Sequence, residues 1–229
     1  MENEKIRINI CGVQTIGVER KISMSGMLLP KVTVILRGYE TKQVLCVVEQ
    51  LVGTKVNSIE VASNSPHAMQ SIAAVRKEFG AEVHVGAGTV TNLDLAKQAV
   101  DAGAEFMLSP IMFTQEMLDF AKKNEVITVP AAFSPSEIKM MFDMGADIVK
   151  VFPAGQLGPD YVKAVQAPLG KLPLMVVGGV GTGNVQSFFD KGATYAGIGS
   201  GIFDPEDIKT CNSKNLAAAI KRLEENVCW

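Results

Sequence analysis

From Lys31 onward the chain alternates between two rhythms: short apolar or β-branched runs, and longer stretches with apolar residues at helical spacing. The extended runs fall at residues 32–36, 58–62, 82–87, 105–109, 126–130, 147–151, 173–177 and 194–199, which predicts eight strands. Helical spacing fills 42–51, 66–79, 92–102, 114–123, 134–144, 160–168 and 182–191. A repeated phrase supports this division. Asp101-Ala102-Gly103-Ala104-Glu105, Asp143-Met144-Gly145-Ala146-Asp147 and Asp190-Lys191-Gly192-Ala193-Thr194 each put a glycine where a helix ends, just before a strand. Strand and helix units at a steady pitch imply parallel strands joined by helical crossovers. Eight such units close into a (β/α)8 TIM barrel, an α/β single domain for which 229 residues is a comfortable length. An open doubly wound sheet is the alternative, but the chain lacks the glycine-rich first turn that such a sheet carries.

The two ends depart from the rhythm. Residues 1–30 contain runs at 7–13 and 17–22 that suit a hairpin, broken by Met24-Ser25-Gly26-Met27. They read as an N-terminal extension or an oligomer contact, with the barrel at 31–229. The tail predicts a closing helix with Leu216, Ile220 and Leu223 on one face.

Composition narrows the function classes. A chain that is 47% hydrophobic and 20% charged is a globular protein that buries much of itself. A net charge of -2 offers no electrostatic case for nucleic acid or an anionic membrane. No apolar run reaches membrane-spanning length and the N-terminus lacks a signal pattern, so a cytoplasmic protein is expected. Cys11, Cys46, Cys211 and Cys228 lie far apart with no CxxC pair, which favours reduced thiols over disulfides. With only His67 and His84, a histidine-ligated metal centre is poorly supplied, and an oxygen-only site stays open.

The chemistry gathers where a barrel keeps it, at the C-terminal strand ends. In Asp147-Ile148-Val149-Lys150-Val151-Phe152-Pro153, alternation puts Ile148, Lys150 and Phe152 on one face, leaving Lys150 without a polar row around it. Desolvation lowers a lysine pKa, and a neutral amine attacks a ketone to form a Schiff base. A lysine that snorkels to water or pairs with a carboxylate is the competing reading. In Ser58-Ile59-Glu60-Val61-Ala62 the same alternation puts Ser58, Glu60 and Ala62 on one face; if that face is the barrel interior, Glu60 and Lys150 enter one enclosure from different strands. They form either a catalytic pair or a buried ion pair that fixes strand register. Gly178-Gly179 and Gly199-Ser200-Gly201 follow the last two strands, where bare backbone N–H groups commonly hold phosphate; tight turns needing positive φ are the weaker explanation. Arg37 offers an anion contact or simply faces solvent at the rim. Gly86-Ala87-Gly88-Thr89 lacks the spacing of a dinucleotide fingerprint, so no nicotinamide cofactor is expected. Met140, Met141 and Met144 at helical spacing read as core or oligomer packing, and both histidines as structural or solvated.

Together these segments resemble a known family. Ile-Leu-Arg-Gly at 35–38, Ile-Glu-Val at 59–61, Gly-Ala-Gly-Thr-Val at 86–90, Ser-Pro at 109–110, Lys-Val-Phe-Pro-Ala at 150–154, Val-Gly-Gly-Val at 177–180 and Gly-Ser at 199–200 are similar to the class I 2-keto-3-deoxy-6-phosphogluconate and 4-hydroxy-2-oxoglutarate aldolases. The likeness runs in order from about residue 31 to 204. It implies a homotrimeric barrel lyase that cleaves a 2-keto-3-deoxy-6-phospho sugar acid to pyruvate and glyceraldehyde 3-phosphate, with no cofactor beyond a covalent Schiff base and no metal. Carried over, Lys150 is the imine-forming lysine and Glu60 the general acid/base, while Thr89 and the Arg37 region contact the pyruvyl carboxylate. Phe152 flanks the imine, Pro110 lines the pocket, and Gly178, Gly179, Gly199 and Ser200 belong to the phosphate cradle. Two departures point to the 2-keto-3-deoxy-6-phosphogalactonate branch: Asn64 where the gluconate enzymes usually carry arginine, and Val177 where they carry threonine. Leu157-Gly158-Pro159-Asp160-Tyr161 resembles that branch as well. Asn64 is then expected to supply substrate hydrogen bonds, and Val177 to remove a donor near the C4 hydroxyl. Cleavage of 4-hydroxy-2-oxoglutarate, a sugar-phosphate isomerase or epimerase, and a sensing barrel without turnover are the alternatives.

Overall fold

The computed structural model describes residues 29–229. The expected N-terminal extension therefore falls, apart from Leu29 and Pro30, outside the described residues. Strands and helices alternate: β1 Val32–Leu36, α1 Thr41–Leu51, β2 Ser58–Ala62, α2 Ala68–Phe79, β3 His84–Gly88, α3 Leu93–Asp101, β4 Phe106–Leu108 and α4 Gln115–Lys123. The second half follows with β5 Ile127–Val129, β6 Ala131–Ala132, α5 Pro135–Asp143, β7 Val149–Val151, α6 Ala154–Leu157, α7 Pro159–Leu169, β8 Leu174–Val177, α8 Val185–Asp190, β9 Tyr195–Ile198, α9 Pro205–Lys209 and α10 Ser213–Glu225.

All pairings are parallel, in the order β5-β4-β3-β2-β1-β9-β8-β7-β6. The nine segments are the eight expected strands with the fifth split at Pro130, which has no N–H to give to a ladder. The ring still closes there. Ile148 N donates to Thr128 O at 3.1 Å, Lys150 N to Pro130 O at 2.8 Å and Phe152 N to Ala132 O at 3.2 Å.

Strand alternation divides the apolar residues into two cores. Phe106, Leu108, Val129, Ile148, Met175, Val177 and Tyr195 fill the barrel interior with Leu29. Val149, Val151, Val34, Leu36, Ile59 and Val61 face the other way, onto the helices. The helices begin where the local chemistry directs: α5 at Ser134 with a Ser134/Glu137 capping box and Pro135 in the first turn, α4 at the Thr114 cap. Within α5, Met141 is buried while Met140 is exposed, so only part of the methionine cluster is core. Helix α10 closes the fold with Leu216, Ile220 and Leu223 buried, as its spacing predicts.

One expectation is corrected. Cys46 of α1 and Cys211, just after α9, form a disulfide with Cα atoms 5.6 Å apart across a sequence separation of 165. Closure of the ring puts β1 beside β9 and so brings the first and last helices together, a proximity that linear spacing hides. Cys228 is free and exposed. Among the described residues no helix is long and apolar enough to cross a membrane.

Candidate active site

Lys150 is the middle residue of β7, between two valines that face the helices and above Ile148, which faces the barrel axis. Its side chain therefore enters the interior and is 6% exposed. Glu60 enters from β2 and is 2% exposed. The space it occupies comes from its neighbour strand: a Cβ on Gly88 would lie 1.4 Å from Glu60 Oε1, so any larger residue there would displace the carboxylate. Gly86 yields room in the same way to the Phe106 ring.

The two charged groups share an enclosure without neutralising each other. Among the described residues no ion pair within 4.0 Å joins them, and Glu60 Oε2 is buried with no hydrogen-bond partner. Burial pushes the Glu60 carboxyl up, against the downward pull of the Lys150 and Arg37 cations. Burial likewise holds the Lys150 ammonium below the usual lysine range, opposed by Glu60 and assisted by Arg37. The Phe152 ring stands 4.8 Å from Lys150 Nζ. Thr89, at the end of β3, adopts φ +58, a left-handed conformation that is strained for a β-branched residue by about 1–3 kcal/mol.

These groups open into a cavity of about 490 Å³ at the C-terminal strand ends. Arg37, Thr89, Pro110, Phe152 and Val177 line it with Glu60 and Lys150, and Gly178, Gly179, Gly199 and Ser200 form its far side. Gly178 and Gly179 have φ +83 and +74, and the loop packs backbone to backbone, since a Cβ on Gly155 would meet Gly179 Cα at 2.8 Å. Gly155 N donates to Gly178 O at 2.7 Å. Asn64 is the exception among the expected residues. It does not line the cavity; instead its Oδ1 accepts from Arg37 Nη1 at 2.8 Å.

Sequence reasoning passed over part of the wall. Gly181, Thr182, Gly183 and Asn184 continue the β8 loop along the cavity. Asn184 braces that loop, accepting from Gly181 N at 2.8 Å and donating to Gly179 O at 2.9 Å. Thr182 Oγ1 donates to Gly201 O at 3.2 Å, tying the β8 loop to the β9 loop. The signal was visible as Gly178-Gly179-Val180-Gly181-Thr182-Gly183, a glycine run longer than one turn needs. The histidines lie elsewhere: His67 precedes α2, and His84 contacts Glu105 at 2.6 Å on the outer surface. No cluster of three or more metal-ligating side chains exists among the described residues.

The sequence and the fold are similar to those of known proteins. Residues 24–220 match the family model described as "Aldolase: KDPG and KHG aldolase". The chain belongs to this family. A probable 2-dehydro-3-deoxy-6-phosphogalactonate aldolase of Rhizobium meliloti is 33% identical over 172 residues, 75% of this chain and 81% of its own length. The 2-dehydro-3-deoxy-6-phosphogalactonate aldolase of Escherichia coli is 28% identical over 84% of this chain and 94% of its own. Among solved structures, a native KDPGal structure superposes with a TM-score of 0.74 at 27% identity, covering 87% of this chain and 97% of that one. The KDPG aldolase of Legionella pneumophila, captured with pyruvate as a covalent carbinolamine, gives 0.77 at 26% identity, covering 85% and 94%. The fold is thus the family's aldolase barrel and the protein is a carbon-carbon lyase.

Proposed function

We propose that this aldolase cleaves a 2-keto-3-deoxy-6-phospho sugar acid, of the galactonate series in preference to the gluconate series, to pyruvate and glyceraldehyde 3-phosphate through an imine on Lys150. The observation that carries the reading is a buried lysine facing the same cavity as a buried carboxylate with an unpartnered oxygen, at the strand ends of a barrel.

The neutral Lys150 amine adds to the C2 carbonyl, giving a carbinolamine that loses water to a protonated imine. Glu60 takes the C4 hydroxyl proton, directly or through water, as the C3–C4 bond breaks. That electron pair flows into the imine, leaving an enamine on Lys150 and releasing the aldehyde. Glu60 returns the proton to C3, and hydrolysis frees pyruvate and the amine. The imine is itself the electron sink, so the reading calls for no dissociable cofactor. Burial of Lys150 favours the first step, because it opposes the ammonium and leaves more of the nucleophilic neutral amine. Val177 lines the cavity without a hydroxyl, which supports the galactonate preference, and the glycine loops after β8 and β9 would offer backbone to the phosphate. By the same resemblance the protein is a cytoplasmic homotrimer, to be checked by cell fractionation and by sedimentation of the native protein at trimer mass.

The test is incubation with pyruvate and borohydride followed by intact mass and peptide mapping. A single reduced pyruvyl adduct on Lys150 is the expected result; absence of an adduct, or an adduct elsewhere, would sink the reading. Cleavage rates for the two phosphorylated epimers and for 4-hydroxy-2-oxoglutarate then rank the substrates.

A further inference from the structure

The loop between β2 and α2 grips the loop between β1 and α1 at two successive residues. Asn64 Oδ1 accepts from Arg37 Nη1 at 2.8 Å, and Ser65 Oγ accepts from Gly38 N at 2.8 Å, with Gly38 at φ +82. The first bond holds the guanidinium and the second holds the backbone that carries it. Arg37 lines the cavity and its charge is felt at both Glu60 and Lys150, whereas Asn64 stays off the wall.

From this geometry we infer that Asn64 is a positioning residue, which with Ser65 orients Arg37 to receive the carboxylate next to the imine carbon. The inference rests on the Schiff-base reading, which places the C2 carbon of the substrate on Lys150 Nζ and hence its carboxylate nearby. Among the cavity-lining residues Arg37 is the cation other than Lys150 itself. A long arginine at a rim loses much rotamer freedom when it docks an anion, so a partner that pre-orients the fork reduces that loss. The chemistry of the partner matters. Asparagine accepts a hydrogen bond but carries no charge, so Arg37 keeps its full positive charge and most of its N–H donors for the ligand. An aspartate in the same place would orient the arginine and also compete with the substrate carboxylate for it. Asn64 is exposed, and an exposed hydrogen bond of this kind adds little to fold stability, so substitution there leaves the barrel intact.

The experiment measures capture on Lys150 by cyanoborohydride as a function of pyruvate, and of its uncharged methyl ester, for wild type, Asn64→Ala, Asn64→Asp, Arg37→Ala and the Arg37→Ala/Asn64→Ala double variant. Asn64→Ala is expected to raise the half-saturating pyruvate concentration about 3- to 10-fold, equivalent to about 0.7–1.4 kcal/mol, with a much smaller change in maximal rate and none for the ester. Asn64→Asp raises it further for pyruvate alone. In the Arg37→Ala background the asparagine change adds nothing, because its effect passes through the arginine. Wild-type values in Asn64→Ala, equal shifts for pyruvate and ester, or additivity in the double variant would each overturn the inference. If wild type forms no adduct, the Schiff-base reading fails separately. Calorimetric pyruvate affinities of the same variants then decide the latch, with the ordering above upholding it and equal affinities overturning it.

Discussion

Two layers of the barrel interior, one above the other on the same strand, treat buried polar groups in opposite ways. In the lower layer Ser58 Oγ and Thr33 Oγ1 lie 3.0 Å apart, both fully buried and each satisfied by the other. Two residues further along β2, about 6.6 Å up the strand, Glu60 is equally buried but leaves Oε2 without a partner. The interior is capable of satisfying what it buries. An unsatisfied carboxylate one layer above a satisfied hydroxyl pair is therefore a property of the upper layer, where the proposed mechanism gives it the substrate as partner. Ways to break this contrast run from the loss of the upper layer's chemistry to a small change in the lower layer's stability.

Lys150→Ala should have the largest effect: cleavage lower by on the order of 10⁴-fold or more, and no pyruvate adduct, in a protein that still folds. Steady-state rates and intact mass check both. Glu60→Gln comes next, with cleavage down by about 10²- to 10⁴-fold while pyruvate capture on Lys150 persists. Its pH dependence separates the two roles. The amine must shed a proton to react, so capture rises with pH, with a midpoint below the ordinary lysine value of 10.5 because burial opposes the ammonium. The Glu60 carboxylate opposes that depression. Removing its charge should move the midpoint lower still, and a midpoint that rises in Glu60→Gln would contradict the arrangement.

A subtler break leaves both charged residues in place. Gly88→Ala inserts a methyl where Glu60 Oε1 would be 1.4 Å away, so the carboxylate must be displaced. A displacement of about 1 Å at a reacting group costs about 10²-fold in rate, and crowding of this kind costs about 1–3 kcal/mol in stability. Kinetics and thermal unfolding of Gly88→Ala measure both, and wild-type kinetics would show that Glu60 has room to adjust.

That glycine also shows where the sequence was legible and where it was not. Alternation along β2 and β7 was enough to put Glu60 on a face with Ser58 and Ala62 and Lys150 on a face with Ile148 and Phe152, because two-residue periodicity is a local property, but which face is the interior needed the closed sheet. The role of Gly88 as a vacancy for Glu60 depends on the β2–β3 register and appears in no single segment. The split at Pro130 was written in the chain but its consequence, nine segments in place of eight, needed the hydrogen-bond ladder. The Cys46–Cys211 bond and the Arg37–Asn64 contact both join segments distant in sequence; spacing alone pointed to reduced thiols, and the family resemblance to a substrate-binding asparagine. Motif order identified the strand ends that carry chemistry, yet after β8 it stopped at Val180 although the loop continues to line the cavity through Asn184.

The smallest expected effect sharpens the contrast from below. Ser58→Ala leaves the Thr33 hydroxyl buried without its partner, and Thr33→Val does the reverse, so each single change should cost about 1–3 kcal/mol. The double variant removes both groups with little change in shape and should recover most of that loss, since replacing both partners by apolar groups can be nearly neutral. Denaturant unfolding of the three variants measures this cycle. Cleavage in all three should stay near the wild-type level, because the lower layer supplies no group to the cavity. A fall in kcat comparable to that of Gly88→Ala would mean that the hydroxyl pair sets the height or tilt of Glu60, and that the two layers act together.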